Sequence, residues 1–178
     1  MTAARWVALA EVTRPHGVRG EVRVKLYNSD SELLSDQAEV LVKRSEGNER
    51  MMALESVRGS DVGHLLAKFE GVDDRDEAER LRGALLSVRR DAFPPLEDGE
   101  FYVCDVVGAR LVGPSGELGS VQGIASYPTA DSLVVKLENG HGDATAEIPL
   151  LDDFIELVDV EAGRVVLRAA ALEFLGQH

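Results

Sequence analysis

The residues best suited to chemistry lie close together in "TRPHGVRGEVRV", residues 13–24 of the chain. The segment is cationic, and the carboxylate of Glu21 is the one acidic group in it. Its basic members, with the lysine that follows directly, are Arg14, His16, Arg19, Arg23 and Lys25. Because guanidinium and ammonium groups bind phosphate and carboxylate oxygens, the segment favours contact with RNA phosphate or with an acidic surface. Charges that are merely solvated remain the alternative.

The glycines and the proline of the same segment predict the shape of its backbone. Gly17 and Gly20 allow positive φ angles, and Pro15 fixes its own φ. A tight connection between two β-strands needs both properties. Shape therefore explains these three residues, but it does not explain the charges around them.

The other candidates for catalysis or metal binding form no recognisable set. The histidines, which lie far apart in the sequence, are His16, His64, His141 and His178. Gly116, Gly119 and Gly123 have the spacing of hairpin turns rather than that of a nucleotide-binding loop. Adjacent acids such as Asp152 and Asp153 are usually solvated rather than bound to a cation. We therefore predict no catalytic residue, no metal site and no cofactor.

Charge is distributed unevenly along the 178 residues, whose net charge is −13. Residues 1–93 hold 15 basic and 17 acidic side chains, whereas residues 94–178 hold 4 and 15. The acidic total disfavours a protein that works mainly by wrapping nucleic acid phosphates. The second half suits a basic protein partner, although acidity that only maintains solubility would give the same counts.

Hydrophobic patterning predicts a mostly β protein. Val22, Val24 and Leu26 alternate with polar residues, as in a strand with one buried face. The strands predicted in the first half, where six pieces suit a small closed barrel, cover 5–12, 21–27, 39–44, 50–57, 62–70 and 85–90. Those predicted in the second half cover 101–112, 116–127, 131–138, 145–151, 155–160 and 163–169.

One helix is predicted in "DDRDEAERLRGALL", residues 73–86. Asp74 can cap its first turn with Glu77 three residues later, and Gly83 can take the left-handed position after its last turn. The residues predicted to face the barrel are Ala78, Leu81 and Leu85. The tail "ALEFLGQH" is predicted to form a last helical turn.

Prolines followed by polar residues at 94–99 indicate a stiff linker. We therefore predict one domain over residues 1–93 and another over 100–178. Cys104, the single cysteine, excludes an intramolecular disulfide, and we expect its thiol to be buried. No apolar run approaches the roughly 20 residues that span a bilayer, so we expect a cytoplasmic protein that binds no membrane.

Several motifs together resemble the RimM family of bacterial ribosome maturation factors. "PHGVRGEVRV" is similar to the family's N-terminal signature, and "DRDEAERLRGALLSV" to the end of its first barrel. "EFYVCDVVGARLVGPSGELGSVQGI", "ADSLVVKL", "EIPLL" and "VDVEAGRVVL" resemble the PRC-barrel domain that follows. The resemblance implies a barrel like those of translation factors joined to a PRC barrel. It also implies a non-enzymatic factor that binds ribosomal protein S nineteen and helps the small-subunit head and its ribosomal RNA mature.

Two sets of site residues are expected, one from the resemblance and the other from the cations and glycines of the segment 13–24. Phe101 and Tyr102 stand where the family commonly has paired tyrosines, and with Asp105 they are expected to bind the basic ribosomal protein. Since neighbours on a strand point to opposite faces, at least one of the two rings should be exposed. The residues expected to contact the ribosome or its RNA are Arg14, Pro15, His16, Gly17, Arg19, Gly20 and Arg23. The family's Gly-Ala-x-Asp turn is replaced by "TAD", Thr129–Asp131, which leaves the shape of that turn open.

Two hypotheses follow for the function. The first is an adaptor, expected to be a monomer, that holds ribosomal protein S nineteen and places it on the immature small subunit. The second is a stand-alone RNA-binding module that acts through the basic segment, and steeply salt-dependent binding to naked RNA would favour it. An enzyme has no supporting arrangement of residues in the sequence.

Overall fold

The computed structural model describes residues 5–97, 100–138 and 144–176. The chain divides into two compact units, Met1–Pro94 and Pro95–His178, and each unit has its own sheet and its own apolar core. Strands dominate both units, which confirms the mostly β fold class predicted from the sequence. Of the predicted linker, Asp98 and Gly99 lie outside the described residues.

Antiparallel strands close the first unit into a barrel. They are β1 (Trp6–His16), β2 (Glu21–Leu26), β3 (Glu39–Lys43), β4 (Glu49–Asp61), β5 (His64–Phe69) and β6 (Leu85–Arg89). Their order is β1-β2-β5-β4-β3-β6, and β6 pairs with β1 to close the barrel. The alternating residues of β2 place one face of the strand in the core. Val22, Val24 and Leu26 are buried there with Phe69, whereas Lys25 is exposed.

A helix of five residues, α1 (Arg75–Glu79), precedes β6 and is capped as predicted. The Asp74 carboxylate accepts a hydrogen bond of 2.8 Å from the Glu77 N–H. The Glu77 carboxylate in turn accepts one of 2.8 Å from the Asp73 N–H. These bonds satisfy donors that the start of a helix leaves without partners.

The end of α1 differs from the prediction. Gly83 is left-handed with φ +75°, but it lies beyond the helix, where its N–H donates to the Val12 carbonyl at 2.8 Å. This bond ties the chain to β1, and the helix ends at Glu79 rather than directly before Gly83 as predicted. Ala78 and Leu81 are buried as predicted. Leu85 is not on the helix, because it begins β6 and is half-buried there.

The second unit contains one sheet of six strands. They are β7 (Arg110–Gly113), β8 (Gly116–Ser126), β9 (Asp131–Leu137), β10 (Thr145–Pro149), β11 (Ile155–Asp159) and β12 (Arg164–Leu167). Their order is β10-β9-β8-β7-β12-β11, in which β12 and β7 are parallel and the other pairs are antiparallel. The predicted helical tail is a 3-10 helix, Ala169–Leu175.

The strand predicted over 101–112 is wrong in its first part, where the chain forms a short helix, α2 (Val103–Val106). Val106 is buried, whereas Val103 and Val107 are 51% and 45% exposed. This spacing is helical rather than alternating, and a short apolar run does not by itself distinguish the two structures. Cys104 lies on this helix and is half-buried, not buried as expected.

We expect limited proteolysis to cut first within residues 94–99 and to leave two fragments that resist further digestion. Proteases cleave exposed segments that make few tertiary contacts, and the two compact units meet in the chain at Pro94 and Pro95. Gel electrophoresis and mass spectrometry would locate the cut. First cuts within 20–85 or 105–165, with no surviving fragment, would contradict the two-domain division.

Candidate functional site

The cationic segment forms the β1–β2 hairpin of the first barrel. Arg14 lies directly opposite Arg23, and His16 lies opposite Glu21. Pro15 is buried, whereas Arg14 and His16 are exposed. Because inward and outward side chains alternate along both strands, the pairing gathers the charges on the outer face of the barrel.

The turn of this hairpin, residues 17–20, is held by contacts with the segment before α1 and with the first residue of α1. Gly20 has φ +79°, and a Cβ placed on it would lie 1.9 Å from the Val72 carbonyl oxygen, so no side chain fits there. The Arg75 guanidinium donates to the Gly17 carbonyl at 3.2 Å. The path of the turn is therefore set by the close approach at Gly20 and by the Arg75 guanidinium, and not by the side chains of the turn itself.

Lys68 of β5 binds the Val72 carbonyl that Gly20 approaches. Its ammonium donates to the Val72 carbonyl at 2.5 Å and to the Asp73 carboxylate at 3.0 Å. Burial alone would lower the pKa of Lys68, but the hydrogen bond and charge of Asp73 and the charge of Glu55 outweigh it and raise the pKa. The ammonium therefore stays charged and keeps residues 69–73 in place against Gly20.

Arg23 forms an ion pair with another strand of the same barrel. Its guanidinium lies 2.5 Å from the Asp61 carboxylate of β4, and the Arg58 guanidinium of β4 lies 2.8 Å from Glu21 of β2. Both ion pairs cross over β5, where Leu66 is opposite Arg23 on one side and Arg58 on the other. Leu66 is only 4% exposed although it is not part of the barrel core, which indicates that the arginine stems cover it.

The cations free to meet a partner are thus fewer than the sequence indicates. Within the described ranges, Arg14, Arg19 and Lys25 are exposed and make no ion pair, and the imidazole of His16 is exposed beside them. Val18, at the tip of the turn, is 73% exposed, which adds an apolar group between them. Sequence reasoning missed the partner of Arg23, because Asp61 lies far along the chain and only strand register brings it near.

The second candidate set surrounds the start of α2. Phe101 and Tyr102 are half-buried and belong to no strand, so the alternation expected to expose one of them does not apply. Asp105 is half-buried on α2, and its carboxylate lies 3.9 Å from the Cys104 sulfur. The sequence prediction did not include Val103 and Val107, whose exposure follows from the helix that it missed.

In residues 5–97, 100–138 and 144–176, no group of three or more histidine, cysteine, aspartate or glutamate side chains is placed to hold a metal ion. No helix in the same ranges is long and apolar enough to cross a membrane. His141 and His178 lie outside the described residues.

Two family profiles match the chain in order. The RimM N-terminal domain matches residues 7–93, and the RimM PRC barrel domain matches residues 103–170. The chain belongs to the RimM family. The resemblance found in the sequence motifs is therefore confirmed, and the chain is a ribosome maturation factor. The RimM PRC match begins directly after Phe101 and Tyr102.

Known RimM proteins match over most of their length. Ribosome maturation factor RimM from Sorangium cellulosum (strain So ce56) is 46% identical over 96% of this chain and 98% of its own. The protein of the same name from Erythrobacter litoralis (strain HTCC2594) is 40% identical over 76% of each chain. A solved RimM structure from Pseudomonas aeruginosa is 24% identical, covers 92% of this chain and 97% of its own, and has a TM-score of 0.47.

We expect Gly20→Ala to lower the free energy of unfolding by more than about 2 kcal/mol, because a left-handed residue is strained and its Cβ would displace the Val72 carbonyl. Gly17→Ala is the matched control. Gly17 has φ +65° but nothing within 4 Å of a Cβ, so the loss should be about 1 kcal/mol. Urea unfolding measures both values, and equal losses would show that the contact with Val72 does not constrain the hairpin.

Proposed function

We propose that the protein is a non-enzymatic assembly factor that binds ribosomal protein S nineteen and helps the head of the small ribosomal subunit and its RNA mature. The observation that carries the proposal is the match of both RimM domains, in order, over residues 7–93 and 103–170. In this proposal the protein acts as a monomer in the cytoplasm, without a cofactor.

The charge of the second unit supports a basic protein partner. Residues 94–178 hold 15 acidic and 4 basic side chains. Arg110 lies 3.9 Å from Glu117 and Arg164 lies 3.2 Å from Asp159, and since each pair takes one charge of each sign, the excess of 11 acidic groups (15 less 4) remains. The remaining negative field would accelerate encounter with a lysine- and arginine-rich protein and repel nucleic acid.

An apolar surface around α2 supports the same partner. Phe101 and Tyr102 are half-buried, and Val103 and Val107 are exposed one helical turn apart. Exposed Glu100 adjoins the two rings in the chain. Protein interfaces combine a desolvated apolar centre with a charged rim, and this region has both parts.

The hairpin of the first unit supports contact with ribosomal RNA. Arg14 and His16 at the end of β1 and Arg19 in the turn that follows are exposed, and contacts of Gly20 and Arg75 hold that turn. A turn that is already ordered loses less conformational entropy when it binds phosphate. The same cations also support the second candidate function, a stand-alone RNA-binding module. The two functions differ in whether ribosomal protein S nineteen is needed for association with the subunit.

We expect the double substitution Phe101→Ala and Tyr102→Ala to weaken binding to ribosomal protein S nineteen by about 2 kcal/mol or more, roughly thirtyfold in Kd. Calorimetric titration measures the affinity. Tyr127→Ala is the matched control, because Tyr127 is also an aromatic residue of the second unit and is 50% exposed.

Circular dichroism and thermal unfolding distinguish an interface role from a packing role for this pair. A variant that stays folded and binds with native affinity would defeat the proposal. A variant that loses roughly 3–5 kcal/mol of stability would assign the two rings to the core instead.

We expect the double substitution Arg14→Ala and Arg19→Ala to weaken association with immature small subunits while leaving the fold intact. Loss of two phosphate contacts should reduce the slope of log K against log salt by about 1.5. Lys43→Ala with Arg50→Ala removes the same charge from exposed positions on β3 and β4 and serves as control. Sedimentation at several salt concentrations gives the slopes. Equal slopes for both double variants would show that the hairpin cations are only solvated and do not bind phosphate.

A further inference from the structure

The strand β11 forms one edge of the second sheet. Among the residues that the structure describes, it pairs with β12 alone. Successive residues of an antiparallel strand direct their N–H and C=O groups alternately towards the partner strand and away from it. The side of β11 opposite β12 therefore presents donors and acceptors that another strand could use.

The opposite edge of the sheet, β10, is protected in two ways. The 3-10 helix Ala169–Leu175 packs against it, and it ends at Pro149, which has no N–H to donate. Residues 155–159 contain no proline. In the described part of the chain, the extensive packing of β11 is with β12.

The segment "DDFIELVDVE", residues 152–161, gives this edge its chemistry. Its exposed carboxylates, none of which makes an ion pair with another described residue, are those of Asp152, Asp153, Glu156 and Glu161. Leu157 and Val160 are apolar and are 47% and 40% exposed. The edge therefore presents backbone hydrogen-bonding groups, apolar side chains and these four carboxylates within ten residues. Two cations lie near them, because Arg164 pairs with Asp159 and the Arg168 guanidinium donates to the Asp152 carbonyl at 2.8 Å, so negative charge remains in excess.

We propose that β11 binds an extended, lysine- and arginine-rich segment of a protein partner as an added strand, an inference that rests on the proposed function, in which the partner is a basic ribosomal protein. Backbone hydrogen bonds align the added strand, and its cations meet the Glu156 carboxylate beside Leu157 and the carboxylates beyond the two ends of β11, those of Asp152, Asp153 and Glu161. An apolar side chain of the segment packs on Leu157 itself.

The same charges select against other strands. A second copy of this chain would bring its own carboxylates to the edge, and like charges opposite each other destabilise a strand pair. A basic strand gains attraction where a copy of the chain meets repulsion. The acidic edge thus limits self-association while remaining open to one class of partner.

Hydrogen exchange of the intact protein tests this binding mode. The probes are ribosomal protein S nineteen and, separately, a short synthetic peptide of alternating lysine and valine. We expect either probe to slow exchange of amides in residues 156–160 by about tenfold or more, because strand addition engages N–H groups that solvent otherwise reaches.

A charge substitution on the edge gives a second measurement. Leu157→Lys places a cation where the basic segment would lie, and we expect it to weaken peptide binding about tenfold. Gln122→Lys makes the same charge change at an exposed position of β8, which pairs with strands on both sides and cannot accept another. It should weaken binding less than about twofold.

The outcomes separate this inference from the proposed function. Binding of ribosomal protein S nineteen without protection of residues 156–160 overturns strand addition and leaves the proposed function standing. Protection by the peptide without binding of ribosomal protein S nineteen supports the edge site and overturns the choice of partner. Absence of protection with either probe overturns the inference, whatever the folding of the Leu157→Lys variant.

Discussion

The close approach of the Gly20 backbone to the Val72 carbonyl oxygen is the constraint on which the cationic hairpin depends. A Cβ on Gly20 would lie 1.9 Å from that oxygen, and Lys68 binds the same oxygen from the other side. The hairpin is therefore placed by one glycine and one half-buried lysine, neither of which needs to touch a partner. Arg14 and Arg19 do not determine the path of the chain, so their side chains are available for recognition.

Features that depend on neighbours in sequence could be predicted. Alternating residues around Val24 identified a strand with one buried face, and the Asp74–Glu77 pair identified the start of α1. Both follow from bonds or burial within a few residues. The helix α2 could not be identified in this way, because Val103, Val106 and Val107 form an apolar run that suits a buried strand as well as a helix.

The candidate site could be predicted in composition but not in detail. The sequence identified Arg14, Arg19 and Arg23 as one cationic group. It could not show that Arg23 is committed to Asp61, because that pair depends on the register of β2, β5 and β4. Register between distant strands is set by the whole barrel, so a single segment does not contain the information.

The strand pairs that complete each unit also determine when it can fold during synthesis. Trp6 pairs with Arg89, so the first barrel can close once β6 has emerged, before any strand of the second unit is made. Arg110 of β7 cannot form its strand pair until its parallel partner Arg164, near the end of the chain, has been synthesised. Contacts between distant segments form slowly, and domains fold in the order of synthesis. A nascent chain therefore displays a finished cationic hairpin while its acidic half is still unfolded.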